Sequence, residues 1–242
     1  MPTRSLSSED DPGDLPKRYA RWRRSALGRI TERLELEAVL DLLGPLQGMR
    51  VLGVGCGDGM YSVAAARGGA RVRGVDLSAR MLSAASARGA AEQVTADWIR
   101  ADALKLPFAD GTFDRVFAIT LLCLVPEPMR AVREMTRVLA PGGVLVIGEL
   151  HRWSLWAAQR RMAGWMGDAL WRDARFWSVA GLRALMESGG VDVGRTRGVA
   201  YYPPLSVAAY LMASADRLLS RISTVGAASV ALSGVKRVAS LK

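Results

Sequence analysis

The sequence predicts an α/β fold, a mostly parallel seven-stranded sheet with helices on both faces, and three observations carry that reading. Short apolar runs alternate with helix-forming stretches from residue 50 to 149. A glycine-rich turn, Gly55-Cys56-Gly57-Asp58-Gly59, opens directly after the first apolar run, Val51 to Val54. A second run, Arg71 to Val75, ends on an acid, Asp76. Such alternation calls for parallel strands, because each parallel return needs a crossover helix. At 242 residues, half of them apolar, the chain is long enough to bury one α/β core.

Residues 1–14 are polar, carry a net charge of −3 and hold two prolines and a glycine, the composition of a disordered tail. A single domain follows over 15–242. Its first part, 15–46, holds a helix over 17–43, where Leu27, Ile30, Leu34, Val39 and Leu43 recur at helical intervals, with a break expected near Gly28. The core, 47–150, reads as strand 50–54, helix 60–67, strand 71–75, helix 78–88, strands 97–101 and 113–119, helix 127–138 and strand 143–149. Residues 178–242 supply a helix over 178–189, started by Ser178 and stopped by Gly189, a strand over Val191 to Tyr202, an amphipathic helix over 206–221 and a last strand from Gly226.

The glycine turn is a nucleotide-cofactor loop by its position, and its spacing selects among ligands. Glycine has no Cβ, so the backbone at Gly55, Gly57 and Gly59 can turn with φ > 0 and admit a ligand against bare main chain. The dinucleotide pattern G-x-G-x-x-G would need glycine at 60 or 58, where the chain has Met60 and Asp58. The missing third glycine speaks against a pyrophosphate on the helix N-terminus, and hence against an NAD(P) oxidoreductase. Asp76, nineteen residues beyond Gly57, stands where doubly wound folds place the acid that accepts ribose hydroxyls. A further acid, Asp102, follows a short strand and can accept a hydrogen bond from an exocyclic amine.

Residues 50–150 resemble class I S-adenosylmethionine (SAM) dependent methyltransferases, in the branch that includes the ubiquinone and menaquinone C-methyltransferases. The resemblance rests on Val-Leu-Gly-Val-Gly-Cys-Gly-Asp-Gly from Val51, Gly-Val-Asp-Leu-Ser from Gly74, Ala-Asp-Ala-Leu-Lys-Leu-Pro-Phe from Ala101, Phe-Asp-Arg-Val from Phe113 and Arg-Val-Leu-Ala-Pro-Gly-Gly-Val-Leu from Arg137. It implies a Rossmann-like sheet closed by an antiparallel strand pair, SAM as cofactor, and a cofactor site of Gly53, Val54, Gly55, Cys56, Gly57, Gly59, Asp76, Leu77, Met81, Asp102, Ala103 and Thr120, covered by Tyr19 from an N-terminal lid over 15–46. Trp22 is a second aromatic on that lid. It also implies a helical cap after the fifth strand, over 151–177, that selects the acceptor. The chain departs from the family at Gly53, where the usual residue is an acid that braces the loop; Gly53→Asp is expected to tighten cofactor binding if the missing acid matters, and to leave it unchanged if the loop is braced in another way.

Residues 151–177 hold five of the seven tryptophans, two of the ten methionines and five arginines. Three readings stay open for them: tryptophans packed on the sheet, a pocket for a large apolar or aromatic acceptor, and peripheral contact with a membrane interface. Candidate bases for a methyl acceptor are His151, the only histidine, and Glu149, two residues before it. Cys56 and Cys123 are core residues rather than nucleophiles, and no metal-ligand spacing occurs. Two cysteines and no signal-like N-terminus or run of eighteen apolar residues point to a cytoplasmic protein, soluble or peripheral at most.

The net charge of +10 sits on the flanks: residues 34–150 carry −1, whereas 15–33 and 195–242 carry +6 each. Twenty-nine of the 33 basic residues are arginine, which compositional bias explains as well as function does. The reading is methyl transfer to a small or medium apolar or aromatic small-molecule acceptor, such as a quinone precursor, a lipid or a secondary metabolite. The alternatives are an RNA methyltransferase and a non-catalytic SAM-binding protein. Nothing in the chain supports nucleic acid beyond its charge: Thr120-Leu-Leu-Cys stands where an Asn-Pro-Pro-Tyr-like tetrapeptide would sit. The sequence leaves the oligomeric state open.

Overall fold

The computed structural model describes residues 15–238, so the tail predicted over 1–14 lies outside the described residues. Two helices, α1 (Leu15–Arg24) and α2 (Ala26–Leu43), precede the sheet. The break between them falls at Ser25, not at Gly28. Ser25 Oγ accepts the N–H of Gly28 and so caps the start of α2. Gly28 is needed for another reason: a Cβ there would lie 2.0 Å from the Trp22 carbonyl, where α1 leans on α2.

Strands β1 (Arg50–Val54), β2 (Arg71–Asp76), β3 (Ala96–Arg100), β4 (Phe113–Ile119) and β5 (Leu139–Leu150) pair in parallel, and β7 (Ser229–Lys236) runs antiparallel between β5 and β6 (Val191–Val199). The sheet order is β3-β2-β1-β4-β5-β7-β6. Crossovers α3 (Met60–Arg67), α4 (Ala79–Ala91) and α5 (Pro128–Val138) cover its faces, with α6 (Leu155–Trp165), α7 (Ala169–Arg172), α8 (Val179–Ser188) and α9 (Ser206–Ile222) after β5. Side chains of a strand alternate between faces, so Leu52 and Val54 pack with Val132, Met135, Leu182 and Met186, while Val51 packs with Val39, Leu42 and Phe117 on the other side.

Several ends differ from expectation. Helix α4 runs on through Gly89 to Ala91, and its end is closed by the Glu92 N–H donating to the Arg88 carbonyl. Strand β5 begins at Leu139, which pairs with Phe113; the register then shifts across Pro141-Gly142-Gly143 before regular pairing resumes at Val144. Strand β6 stops at Val199, short of Tyr202: Ala200 turns to φ 62°, and the buried Asp216 of α9 accepts the N–H groups of Ala200 and Tyr201 in place of a strand partner.

The strand order runs outward from β1 through β2 to β3, then restarts at β4 on the other side of β1. The crevice beyond the carboxyl ends of β1 and β4 is the place where open α/β sheets bind ligands.

Candidate functional site

The loop after β1 is braced by a carboxylate from the neighbouring strand. Asp76 Oδ2 accepts the Gly57 N–H at 2.9 Å, and its Oδ1 accepts the Ser78 N–H at 2.9 Å, the step that leads into the Ser78 cap of α4. Burial raises the Asp76 carboxyl above its usual range, and these N–H groups oppose the shift. A carboxylate has about four lone-pair sites, so Asp76 keeps acceptor capacity for a diol. Two more of the loop's donors are occupied: Cys56 N–H goes to the Val75 carbonyl and Gly59 N–H to the Cys56 carbonyl. Such a loop is poorly suited to cradle a phosphate. Gly57 sits at φ 54° with open space where a Cβ would point, which leaves room for a ligand against the backbone.

These features fit SAM, which carries a ribose and no phosphate. Met81 is buried at the first turn of α4, Leu77 is exposed beside Asp76, and Ala103 is buried at the end of the β3 loop. Asp102 is exposed, with Oδ1 accepting the Leu104 N–H. The structure thus gathers Gly55, Gly57, Asp76 and Thr120 at the switch point, with Asp102 one strand further out.

Gly53 explains itself by packing. A Cβ built there would lie 2.7 Å from Ser62 Oγ and 2.8 Å from the Phe117 ring. The family's acid would have to displace the Ser62 hydroxyl or the Phe117 ring in this chain, and the expectation that Gly53→Asp tightens binding gives way to one of overpacking. Loop bracing is supplied instead by Asp76 and by Asp58. The Asp58 carboxylate is paired with Arg23 of α1 and Arg88 of α4, the latter at 2.9 Å, and Arg88 also donates to the Asp58 carbonyl. Arg23 Nε reaches Glu32 at 3.1 Å. This clamp ties the N-terminal helix to the glycine loop. Sequence reasoning missed it, because Arg23 and Asp58 lie 35 residues apart and arginine is common throughout the chain.

Beside the loop a narrow cleft of about 10 Å³ opens between α2, the carboxyl ends of β4 and β5 and the amino end of β7, lined by Val39, Ile119, Val199, Val230 and the polar residues Glu35, Tyr61, Thr120, Glu149 and Ser229. Thr120 holds φ 56°, an uncommon conformation for a residue with a branched Cβ, and its N–H donates to the Gly148 carbonyl at 2.7 Å. Glu149 is fully buried. Its Oε1 accepts the Leu122 N–H at 2.6 Å, whereas Oε2 has no hydrogen-bond partner. Burial pushes its carboxyl up to about 8, against the opposing pull of the Leu122 N–H, the Cys123 thiol and the N–H groups of Cys123 and Leu121. Across the cleft, Glu35 accepts a hydrogen bond from Ser229 Oγ at 2.9 Å and is also raised by burial. Burial, with Glu35 nearby, lifts the Tyr61 hydroxyl well above its ordinary range.

Tyr19 of α1 is electrostatically coupled to Cys123, Arg160 and Glu35 of this region, and the Arg23 guanidinium lies 5.5 Å from its ring. His151 stands apart from the cleft lining: it is buried, with Nδ1 3.2 Å from the Ala227 carbonyl, and desolvation lowers its imidazole below the usual range. Cys56 and Cys123 are buried free thiols, both raised chiefly by burial. No group of residues that could hold a metal ion occurs among the described residues.

The tryptophan-rich stretch divides. Trp156 is buried and donates to the Tyr202 carbonyl at 2.8 Å, and Trp177 packs on the main core. Arg160 lies between the rings of Trp156 and Trp171, 5.3 and 5.1 Å from their centroids. Trp153 and Trp165 face solvent.

Comparison with known proteins agrees with this geometry. Residues 52–147 match the methyltransferase domain family. The chain is 39% identical over 125 residues to a ubiquinone/menaquinone biosynthesis C-methyltransferase of Roseobacter denitrificans, covering 50% of each. It is 36% identical over 136 residues to cycloartenol-C-24-methyltransferase 1 of rice, Oryza sativa subsp. japonica, covering 53% of this chain and 38% of that one. The chain thus spans about half, or less, of the length of these curated relatives. A solved SAM-dependent methyltransferase from Thermotoga maritima superposes with a TM-score of 0.70 at 25% identity, over 92% of this chain and 96% of that one.

Proposed function

We propose that the chain is a class I SAM-dependent methyltransferase and that it transfers a methyl group to a small or medium apolar acceptor carrying a weakly acidic phenol or carbon centre. SAM supplies an activated methyl group on a sulfonium, so the protein's task is to place and deprotonate the acceptor. Asp76 would accept the ribose hydroxyls, the open backbone at Gly57 the methionine part, and Asp102 with Ala103 the adenine edge. Tyr19 and α1 would cover the cofactor.

The observation that carries the acceptor assignment is Glu149 Oε2, a buried carboxyl oxygen without a partner on the wall of a mostly apolar cleft next to Thr120. With its carboxyl raised to about 8, Glu149 is matched to a phenolic or carbon acid, taking its proton as the bond to the methyl group forms. Glu35 and Tyr61 would orient the acceptor's polar end. The cleft as it stands has a volume of only about 10 Å³, so an aromatic or prenylated ring, the kind of acceptor suggested by the ubiquinone/menaquinone and cycloartenol methyltransferase relatives, would have to displace its lining to enter.

The test has two stages. Calorimetric titration with S-adenosylhomocysteine is expected to show micromolar binding, with none of NAD. Radiolabelled SAM is then offered with a panel of quinols and phenols, and incorporation is expected to rise with pH through about 8 and to be lost in Glu149→Gln. Binding without transfer to any acceptor would favour a non-catalytic SAM-binding role; no binding of the homocysteine product would refute the cofactor assignment as well.

A further inference from the structure

Helix α9 leaves most of its large apolar side chains outside. Its inward face, packed on α2 and the end of β6, holds Ala209, Ala213 and the partly buried Met212, together with the buried Asp216. The other large apolar residues, apart from the half-buried Leu219, face solvent. Val207, Leu211, Leu218 and Ile222 fall at helical spacing on that side, each more than half exposed, and Tyr210 beside them is 77% exposed. An amphipathic helix normally buries its large apolar side chains.

Helix α6 repeats the pattern. Trp156 anchors it, while Trp165 is 86% exposed and Trp153, Met162 and Met166 project with it. The two helices share a root: Trp156 of α6 and Ala209 of α9 belong to one buried cluster with Tyr202, and Trp156 donates its indole N–H to the Tyr202 carbonyl. Val199, in the same cluster, also lines the acceptor cleft.

Charge selects the occupant. Residues 151–177 hold five arginines against two aspartates. Arg152 is exposed and lies over the Trp153 ring at 5.0 Å, and Arg161 lies over Phe176 at 4.6 Å. On α9 the only acid, Asp216, is buried, and Arg221 in the last turn is exposed. Exposed aromatic and aliphatic side chains interleaved with arginine match a headgroup layer bearing phosphate, where rings sit at headgroup depth and alkyl groups reach the acyl boundary. No described helix is long and apolar enough to cross a bilayer, so the contact is with its surface.

We propose that the outward faces of α6 and α9 form a docking surface for an anionic lipid bilayer, with Trp153, Trp165 and Tyr210 at headgroup depth, Leu211 and Leu218 inserted, and Arg152 and Arg221 on phosphate. This surface stands independently of the methyl-transfer reading.

The test is co-sedimentation of the full chain with vesicles of phosphatidylcholine alone and of phosphatidylcholine with phosphatidylglycerol. The protein is expected to pellet with the mixed vesicles, to remain largely in solution with phosphatidylcholine alone, and to be released progressively by salt. The charge-neutral double variant Leu211→Ser, Leu218→Ser is expected to lose about tenfold or more in vesicle affinity, with an unchanged melting temperature because both residues are exposed. Retained binding by that variant would reduce the contact to general basic charge and overturn the proposal. So would failure to pellet with anionic vesicles, or a concentration-dependent dimer in light scattering that the double variant converts to monomer, since a second copy would then be the occupant.

Discussion

The two halves of the crevice are built in opposite ways. On the β1–β2 side every polar group that matters is held by a neighbour: Asp76 by two backbone N–H groups, Asp58 by two arginines, the loop amides by carbonyls. On the β4–β5 side Glu149 Oε2 is buried without a partner, Thr120 holds a strained backbone, and Glu35 and Tyr61 are pushed away from ionisation by burial. A satisfied site is preorganised and costs little to keep, whereas an unsatisfied buried polar group is destabilising until something binds it. The difference supports the proposal that the first half holds a ligand recognised by a fixed frame and that the second carries the chemistry.

The sharpest way to break that contrast is pH. Glu149 has a folded-state value of about 8 against an ordinary 4.5. Between those values the folded chain holds a proton that the unfolded chain has lost, so stability is fully present below about 4.5 and declines as pH rises through about 8. The contribution is on the order of 4 kcal/mol. Glu149→Gln keeps an acceptor for the Leu122 N–H and removes the titration. Chemical denaturation at pH 5 and pH 9 is expected to show a steep fall in stability for the parent chain and a shallower one for the variant, with Glu35 leaving a residual slope of the same sign. Equal slopes would mean that Glu149 is ionised and solvated in the folded state.

On the opposite wall, Asp76→Ala removes both the brace on Gly57 and the carboxylate proposed to accept the ribose hydroxyls. Hydrogen bonds to a charged group contribute about 1.5–3 kcal/mol, so affinity for S-adenosylhomocysteine is expected to fall by roughly 100-fold, read by calorimetry. An unchanged affinity would take Asp76 out of the cofactor site and leave it a loop brace alone.

How much of this was legible in the sequence follows from the same asymmetry. Gly55, Gly57 and Asp76 belong to local strand-turn-helix units, and the alternation of apolar runs gave the strands within a few residues. The acceptor wall is assembled from Glu35, Tyr61, Glu149 and Ser229, and Glu35 meets Ser229 across 194 residues. Of these only Glu149 was marked, by its place at the end of β5. His151 drew notice as the sole histidine, yet its imidazole is directed at the Ala227 carbonyl. The break at Ser25 and the end of β6 were misplaced for a related reason: one depends on how α1 leans on α2, the other on Asp216 arriving from a helix further along the chain.

Gly53→Asp tests whether packing or ligand binding set that residue. A side chain at 53 meets Ser62 and Phe117 in the buried face of β1. Overpacking costs about 1–3 kcal/mol, and a carboxylate there adds a desolvation cost. The expected result is a lowered melting temperature with no gain in affinity for S-adenosylhomocysteine. A tighter-binding variant of undiminished stability would show that Phe117 gives way and that the family's acid can be restored.

The smallest effect is expected at the clamp that joins the two halves. Arg23 carries α1 onto Asp58, and with it Tyr19 toward the region of Glu35 and Cys123. In Arg23→Ala, Asp58 is still paired with Arg88, and only the partly buried Glu32 loses its ion-pair partner, so the loss stays near 1 kcal/mol, about fivefold in cofactor affinity. Arg88→Ala serves as the control, since it removes the other guanidinium from Asp58 without touching α1. If the clamp acts through the lid, Arg23→Ala speeds hydrogen exchange and proteolysis ahead of Ser25 and raises the dissociation rate of S-adenosylhomocysteine, while Arg88→Ala changes the affinity but not the exposure of α1. Identical behaviour of the two variants would mean that Asp58 merely stiffens the glycine loop, and that α1 is held over the crevice by its packing on α2 alone.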